Sequence, residues 1–294
     1  MVFEVHYYNE KERRSSLSSA AIRRALAQVD FLKENRSDPG TFRYHNPDTR
    51  VECEFLMYEP EEDYEVGLAA LMALPRPTFF SLECLPLVVQ IARELRLQLA
   101  VVEPGPVGKP ERASMEMLME RWRAANREEI RYIAEDGTPP PRANLDDLET
   151  MWEFMTLRPD LNRRYKRRSI PVPPVDLVQL KKTGQVFRCA DWSGLGSTVL
   201  PEIEWFRLVD PPKPLKGDTY YAFEELGPIL KAWFRDVPQP VYHRLCDKTV
   251  PSDELVAALQ QAEHRTGRSF ERIEYHEVVD DDAGPPPGVT RARD

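Results

Sequence analysis

Tyr242-His243-Arg244-Leu245-Cys246-Asp247 holds the one close pairing of histidine and cysteine in the chain. An imidazole beside a thiol is the equipment of a nucleophile and its base, and it also offers two metal ligands. Either use needs more: a third group to orient the base, or a second ligand pair to close a tetrahedral site. No second pair is near, so 242–247 reads as a strand with a partly buried thiol and an exposed imidazole. If the chain is an enzyme, the first suspects are Asp191, His243 and Cys246. Asp191, beside Trp192, would then be a carboxylate at a pocket rim. Glu202 and Glu204 share a strand face and suit acid–base work only where a cleft sets their environments apart. No metal-ligand spacing and no cofactor motif is found, so the expectation is no metal and no cofactor.

A second chemical lead is Gly194-Leu195-Gly196-Ser197-Thr198. A phosphate loop needs a strand, a glycine-rich turn and then a helix whose N-terminal amides face the anion. Here Val199-Leu200-Pro201-Glu202-Ile203-Glu204-Trp205 follows, where proline withholds a donor and the β-branched and aromatic residues favour strand. No lysine follows the glycines. The segment reads as a corner between strands.

The densest basic cluster is Arg163, Arg164, Lys166, Arg167 and Arg168, with Tyr165 inside it. Arginine with an aromatic is the pattern of phosphate neutralisation and base stacking, so this is the candidate anion or nucleic-acid contact. It stands in a chain of net charge −9, a weak version of a nucleic-acid footprint. The acidity is concentrated in 59–105, with eight acidic residues to three basic, and in 251–294, with ten to five. Within the first stretch Glu61, Glu62, Asp63 and Glu65 form a run without the spacing or central glycine of a calcium loop. That run is the candidate contact for a basic protein partner, where charge complementarity raises the association rate.

These residues need elements to carry them. Phe3–Tyr8 reads as a strand, and Ile22, Ala25, Leu26 and Val29 repeat at helical spacing behind serine caps. Thr41–His45 and Val51–Tyr58 flank Asn46-Pro47-Asp48-Thr49 as a hairpin, with Cys53 on its buried face. Leu68–Leu74 is a further strand. A helix with Leu85, Val88, Ile91, Ala92 and Leu95 inward follows, Pro86 in its first turn, and then a strand over Leu97–Val102. Residues 111–157 read as two helices broken at Gly137–Pro141, with Asn126 interrupting an apolar stripe. Val175–Leu180 and Gln185–Trp192 form a hairpin across Lys181–Gly184. Ile203–Val209 is a strand, Ala222–Phe234 a helix, and Asp253–Arg265 a last helix capped by Ser252. The residues from 280 on are polar and proline-rich, so disorder is expected there.

The fold expected is α+β in two lobes. Residues 1–105 form a ferredoxin-like mixed sheet with helices on one face, and 106–170 a helical connector. Residues 171–279 form an antiparallel sheet with helices, and 280–294 a tail. No run is apolar for long enough to span a bilayer, and no secretory signal is read at the N-terminus. The four cysteines are scattered, as free thiols in a reducing cytoplasm. Thirty arginines against ten lysines, with 27 prolines, suggest a GC-rich bacterial source. The functional expectation is a non-enzymatic, cytoplasmic, protein-binding protein: an inhibitor, an immunity-type neutraliser or an adaptor. The alternatives are an enzyme with its site between the lobes, and binding of nucleic acid or a phosphorylated ligand through 163–168.

Overall fold

The computed structural model describes residues 1–10, 17–60, 64–102 and 108–281. Glu61, Glu62 and Asp63, and the tail from 282 on, lie outside the described residues. The fold is α+β, in two compact units, one ending at Pro140 and the next beginning at Pro141. The two helices expected as a connector therefore fall one in each unit.

The first unit runs β1 (Val2–Tyr8), α1 (Ser19–Leu26), β2 (Leu32–Glu34), β3 (Thr41–His45), β4 (Glu52–Met57), β5 (Glu65–Ala73), α2 (Thr78–Leu95), β6 (Gln98–Val101), β7 (Glu111–Arg112) and α3 (Met115–Asp136). Its strands form one sheet in the order β2-β3-β4-β5-β1-β6-β7. Every neighbouring pair is antiparallel, where a mixed sheet was expected. The reason is that β1 and β4, which point the same way, are separated by β5. Elements β1, α1, β4, β5, α2 and β6 follow the β-α-β-β-α-β sequence of a ferredoxin-like sandwich.

Strand alternation decides the faces. Phe3, Val5 and Tyr7 of β1, with Phe42, Tyr44, Cys53, Phe55, Leu68, Ala70 and Met72, are buried on one side. The helices lie there: Tyr7 Oη donates to the Val88 carbonyl of α2 at 3.2 Å, α1 packs on α2, and α3 on α2. Glu4, His6, Glu52 and Glu54 alternate onto the opposite face.

α2 begins at Thr78, seven residues earlier than the spacing predicts, so Pro86 is interior rather than in the first turn. An interior proline costs about 3 kcal/mol. Phe79, Phe80, Leu85, Val88 and Ile91 are all buried, each contributing roughly 1.5–3 kcal/mol, so burial outweighs the proline. Asn126, the break in the α3 stripe, is buried for another reason. Its amide accepts from the Arg76 backbone N–H at 2.9 Å and donates to the Arg76 carbonyl at 2.8 Å.

The second unit runs β8 (Arg142–Ala143), α4 (Leu145–Tyr165), β9 (Val175–Leu180), β10 (Val186–Ser193), β11 (Thr198–Leu200), β12 (Trp205–Val209), β13 (Thr219–Ala222), α5 (Gly227–Leu230), β14 (Arg235–Val237), β15 (His243–Cys246), α6 (Asp253–Gln261), β16 (Arg265–Thr266), β17 (Phe270–Ile273) and β18 (Val279–Asp280). Its sheets are β16-β13-β12-β10-β9-β17, β11-β15-β14 and β18-β8. The β9–β10 hairpin turns at the residues expected of it.

The six-stranded sheet is not purely antiparallel, because β10 and β12 pair in parallel. Strand β11 leaves for the three-stranded sheet, and the crossing returns the chain beside β10 in the same direction. The helix expected over Ala222–Phe234 is a single turn, since Thr219–Ala222 pairs in the sheet and Gly227-Pro228 delays the helix start. α6 is capped by Ser252, whose hydroxyl accepts from Leu255 N–H at 3.2 Å. It stops at Gln261 because Arg265 belongs to β16. No helix of the described residues is long and apolar enough to cross a membrane.

Candidate functional site

The three enzymatic suspects are not brought together. Asp191 lies on β10 in the six-stranded sheet, opposite Arg207 of β12. It accepts two hydrogen bonds from that guanidinium, both at 2.8 Å, and this pairing holds Arg207 above the usual arginine range.

His243 and Cys246 lie on β15 of the smaller sheet and are fully buried. The imidazole expected to be exposed is thus corrected to a core group. Its Nδ1 is 2.8 Å from the Val241 carbonyl, so this nitrogen carries the proton and donates it. Its Nε2 accepts from the Tyr165 hydroxyl at 2.9 Å. Burial lowers the His243 pKa; the Val241 carbonyl opposes that, and the Arg164 and Arg235 cations add to it. The result is a neutral imidazole with both nitrogens occupied. Burial likewise raises the Cys246 thiol, keeping it out of the reactive thiolate form.

The glycine segment is a corner. Gly194 and Leu195 both have left-handed backbone, with φ of 61° and 54°. Gly194 N–H donates to the Val209 carbonyl at 2.8 Å, and Gly196 N–H to the Ser193 carbonyl at 3.2 Å. Trp192 Nε1 closes the loop on the Gly196 carbonyl at 2.8 Å. These amides face protein oxygens, and a strand follows.

In the basic cluster Tyr165 is buried at 4% exposure, so it has no face for a base to stack on. Arg163 pairs with Asp160, Arg168 with Asp247 at 3.1 Å, and Arg164 donates to the Gln239 carbonyl at 3.1 Å. Lys166 and Arg167 are exposed. Arg163 and Arg164 belong to the last turn of α4 and residues 166–168 to a single 3-10 turn after it, and carboxylates pair with two of the five cations.

Glu204 has a definite place. It closes a cleft of about 290 Å³ where the start of α4 meets the β9–β10 hairpin. Arg188, its side chain 7% exposed, donates through Nε to Glu204 at 3.0 Å and through Nη2 to Glu204 and to Asp147, the latter at 2.8 Å. Burial raises the Asp147 pKa, and the Arg188 cation opposes the rise. Asp281 accepts from Leu145 N–H at 3.2 Å, at the first turn of α4. The arrangement is a buried cation held by two carboxylates, which ties α4 to the sheet.

The helix-free face of the first unit's sheet carries a charged cluster around His6. His6 Nε2 is 2.6 Å from Glu4 Oε1, and Nδ1 is 2.8 Å from Glu65 Oε1 and 2.7 Å from the Tyr58 hydroxyl. Tyr58 donates to Glu65, and burial followed by that bond raises its pKa. Glu65, expected in an exposed acidic run, has a side chain only 5% exposed. Its role is internal, because β5 pairs beside β1 and turns it toward His6. Glu4 and Glu52 have side-chain exposures of 36% and 32%, Glu54 is exposed, and Arg43 pairs with Glu52. The sequence signal for this face was the alternation Glu4-x-His6 and Glu52-x-Glu54. Among the described residues no group of three or more histidine, cysteine or carboxylate side chains is placed to hold a metal ion. Comparison with known proteins finds no family model, no curated protein and no solved structure that matches the chain.

Proposed function

We propose that the chain is a non-enzymatic protein-binding protein whose helix-free sheet face, together with the acidic residues Glu61, Glu62 and Asp63, receives a basic partner. The observation that carries the reading is the set of carboxylates Glu4, Glu52 and Glu54 on one face of the seven-stranded sheet. A broad antiparallel sheet face bearing several carboxylates suits a protein better than a small molecule, and its field would steer a cationic partner. Asp191 pairs with Arg207 of its own sheet, and both nitrogens of the buried His243 are taken up by Tyr165 of α4 and the Val241 carbonyl.

The test is affinity capture from the native cytosol, identification of the bound protein, and measurement of its affinity for Glu4→Lys/Glu52→Lys/Glu54→Lys and for Glu61→Lys/Glu62→Lys/Asp63→Lys. Loss of about tenfold or more in either triple, with wild-type affinity falling as salt rises, is the expected outcome. A partner whose affinity ignores both triples and the salt concentration overturns the reading.

A further inference from the structure

Three arginines converge on one cleft of the first unit, and sequence spacing singled out none of them. Arg93 is in the last turn of α2, Arg96 is its C-cap, and Arg112 is on β7. Arg93 and Arg96 are three residues apart at a helix end. Arg112 is the cross-strand partner of Gln98, two residues beyond Arg96. All three line a cleft of about 680 Å³, within the size range of small-molecule sites.

None of the three guanidinium groups has an ion-pair partner among the described residues. The first unit's Arg43 and Arg121, by contrast, pair with Glu52 and Glu111.

Arg96 has φ of 58° and ψ of 52°, in the left-handed region, the helix-ending position where glycine is favoured. Glycine fits this backbone without strain, so the side chain can be removed there without loss of the helix end. The rest of the lining suits a ligand with a body: Ala92, Leu97 and Met115 are apolar, and Glu10 and Glu116 can accept from hydroxyls.

We infer that this cleft binds the phosphate group of a small phosphate monoester. Arginine presents paired N–H donors in a plane that matches phosphate oxygens, so two or three converging guanidinium groups select a dianion over a monovalent anion.

The experiment is calorimetric titration of the full chain at low ionic strength with ribose 5-phosphate, inorganic phosphate and unphosphorylated ribose. Ribose 5-phosphate and phosphate are expected to bind with Kd of about 1 mM or tighter, and ribose not to bind. Arg93→Gln/Arg96→Gln/Arg112→Gln should weaken phosphate binding about tenfold or more. Arg123→Gln/Arg127→Gln/Arg131→Gln, on the exposed side of α3 and outside the cleft, should leave it unchanged. Arg96→Gly separates binding from folding: melting temperature should hold or rise as backbone strain is relieved, while phosphate affinity falls. The proposal is overturned if neither phosphate compound binds the wild type, if both triples weaken binding equally, or if Arg96→Gly leaves affinity untouched.

Discussion

His243 shows how one side chain carries both structure and a pH response. Its two nitrogens are committed to the Tyr165 hydroxyl and the Val241 carbonyl, and burial lowers its pKa below the ordinary value. In the unfolded chain an imidazole titrates near about 6.5. The sign follows from proton counts. Above that pH both states are neutral and the group contributes fully. As pH falls below about 6.5 the unfolded state takes up the proton first, so stability is lost until the folded pKa is passed. The urea midpoint of the second unit should therefore drop between pH 7 and pH 5, with a shallower drop in His243→Gln. Equal slopes in the two proteins would remove His243 as the cause.

At the level of elements, the interruptions in periodic patterns carry the tertiary information. Asn126 breaks an apolar stripe, yet it is buried and clamps both backbone polar groups of Arg76. Replacing it by alanine leaves a backbone donor and acceptor without partners, at a cost of roughly 2–4 kcal/mol. Asn126→Ala should lower the chemical-denaturation midpoint of the first unit with little change in slope. A loss under about 0.5 kcal/mol in the alanine variant would show that water replaces the clamp. The β3–β4 turn is tied to α2 in a similar way. Tyr44, Asn46 and Thr49 all donate to one Glu83 oxygen at 2.7–2.9 Å, so the strong turn sequence read from 46–49 is also an anchoring sequence.

For the whole molecule, the division at Pro140 and Pro141 separates two complete sets of core residues. The first unit buries the apolar side of its sheet beneath α1 and α2; the second centres on Trp192, with its ring about 5–5.5 Å from Phe206 and Phe234. Residues 141–281 expressed alone are accordingly expected to give mixed helix and sheet circular dichroism and one cooperative melt, as are residues 1–140. A fragment that stays unfolded would show that its core is incomplete. The net charge of −9 acts at this same scale, through long-range steering that salt screens over roughly 10 Å.

Read by itself, the sequence determined the α+β class, the two hairpins at 46–49 and 181–184, the cap at Ser252, and the corner at Gly194. Each depends on neighbours within a few residues, where backbone sterics and local hydrogen bonds decide. Tertiary structure decided the burial of His243 and Glu65, the parallel pairing of β10 with β12, the run of α2 through Pro86, and the meeting of Arg93, Arg96 and Arg112. In those cases the deciding partner is a strand or side chain distant along the chain. Desolvation and charge pairing there follow from three-dimensional packing, which residue spacing does not encode.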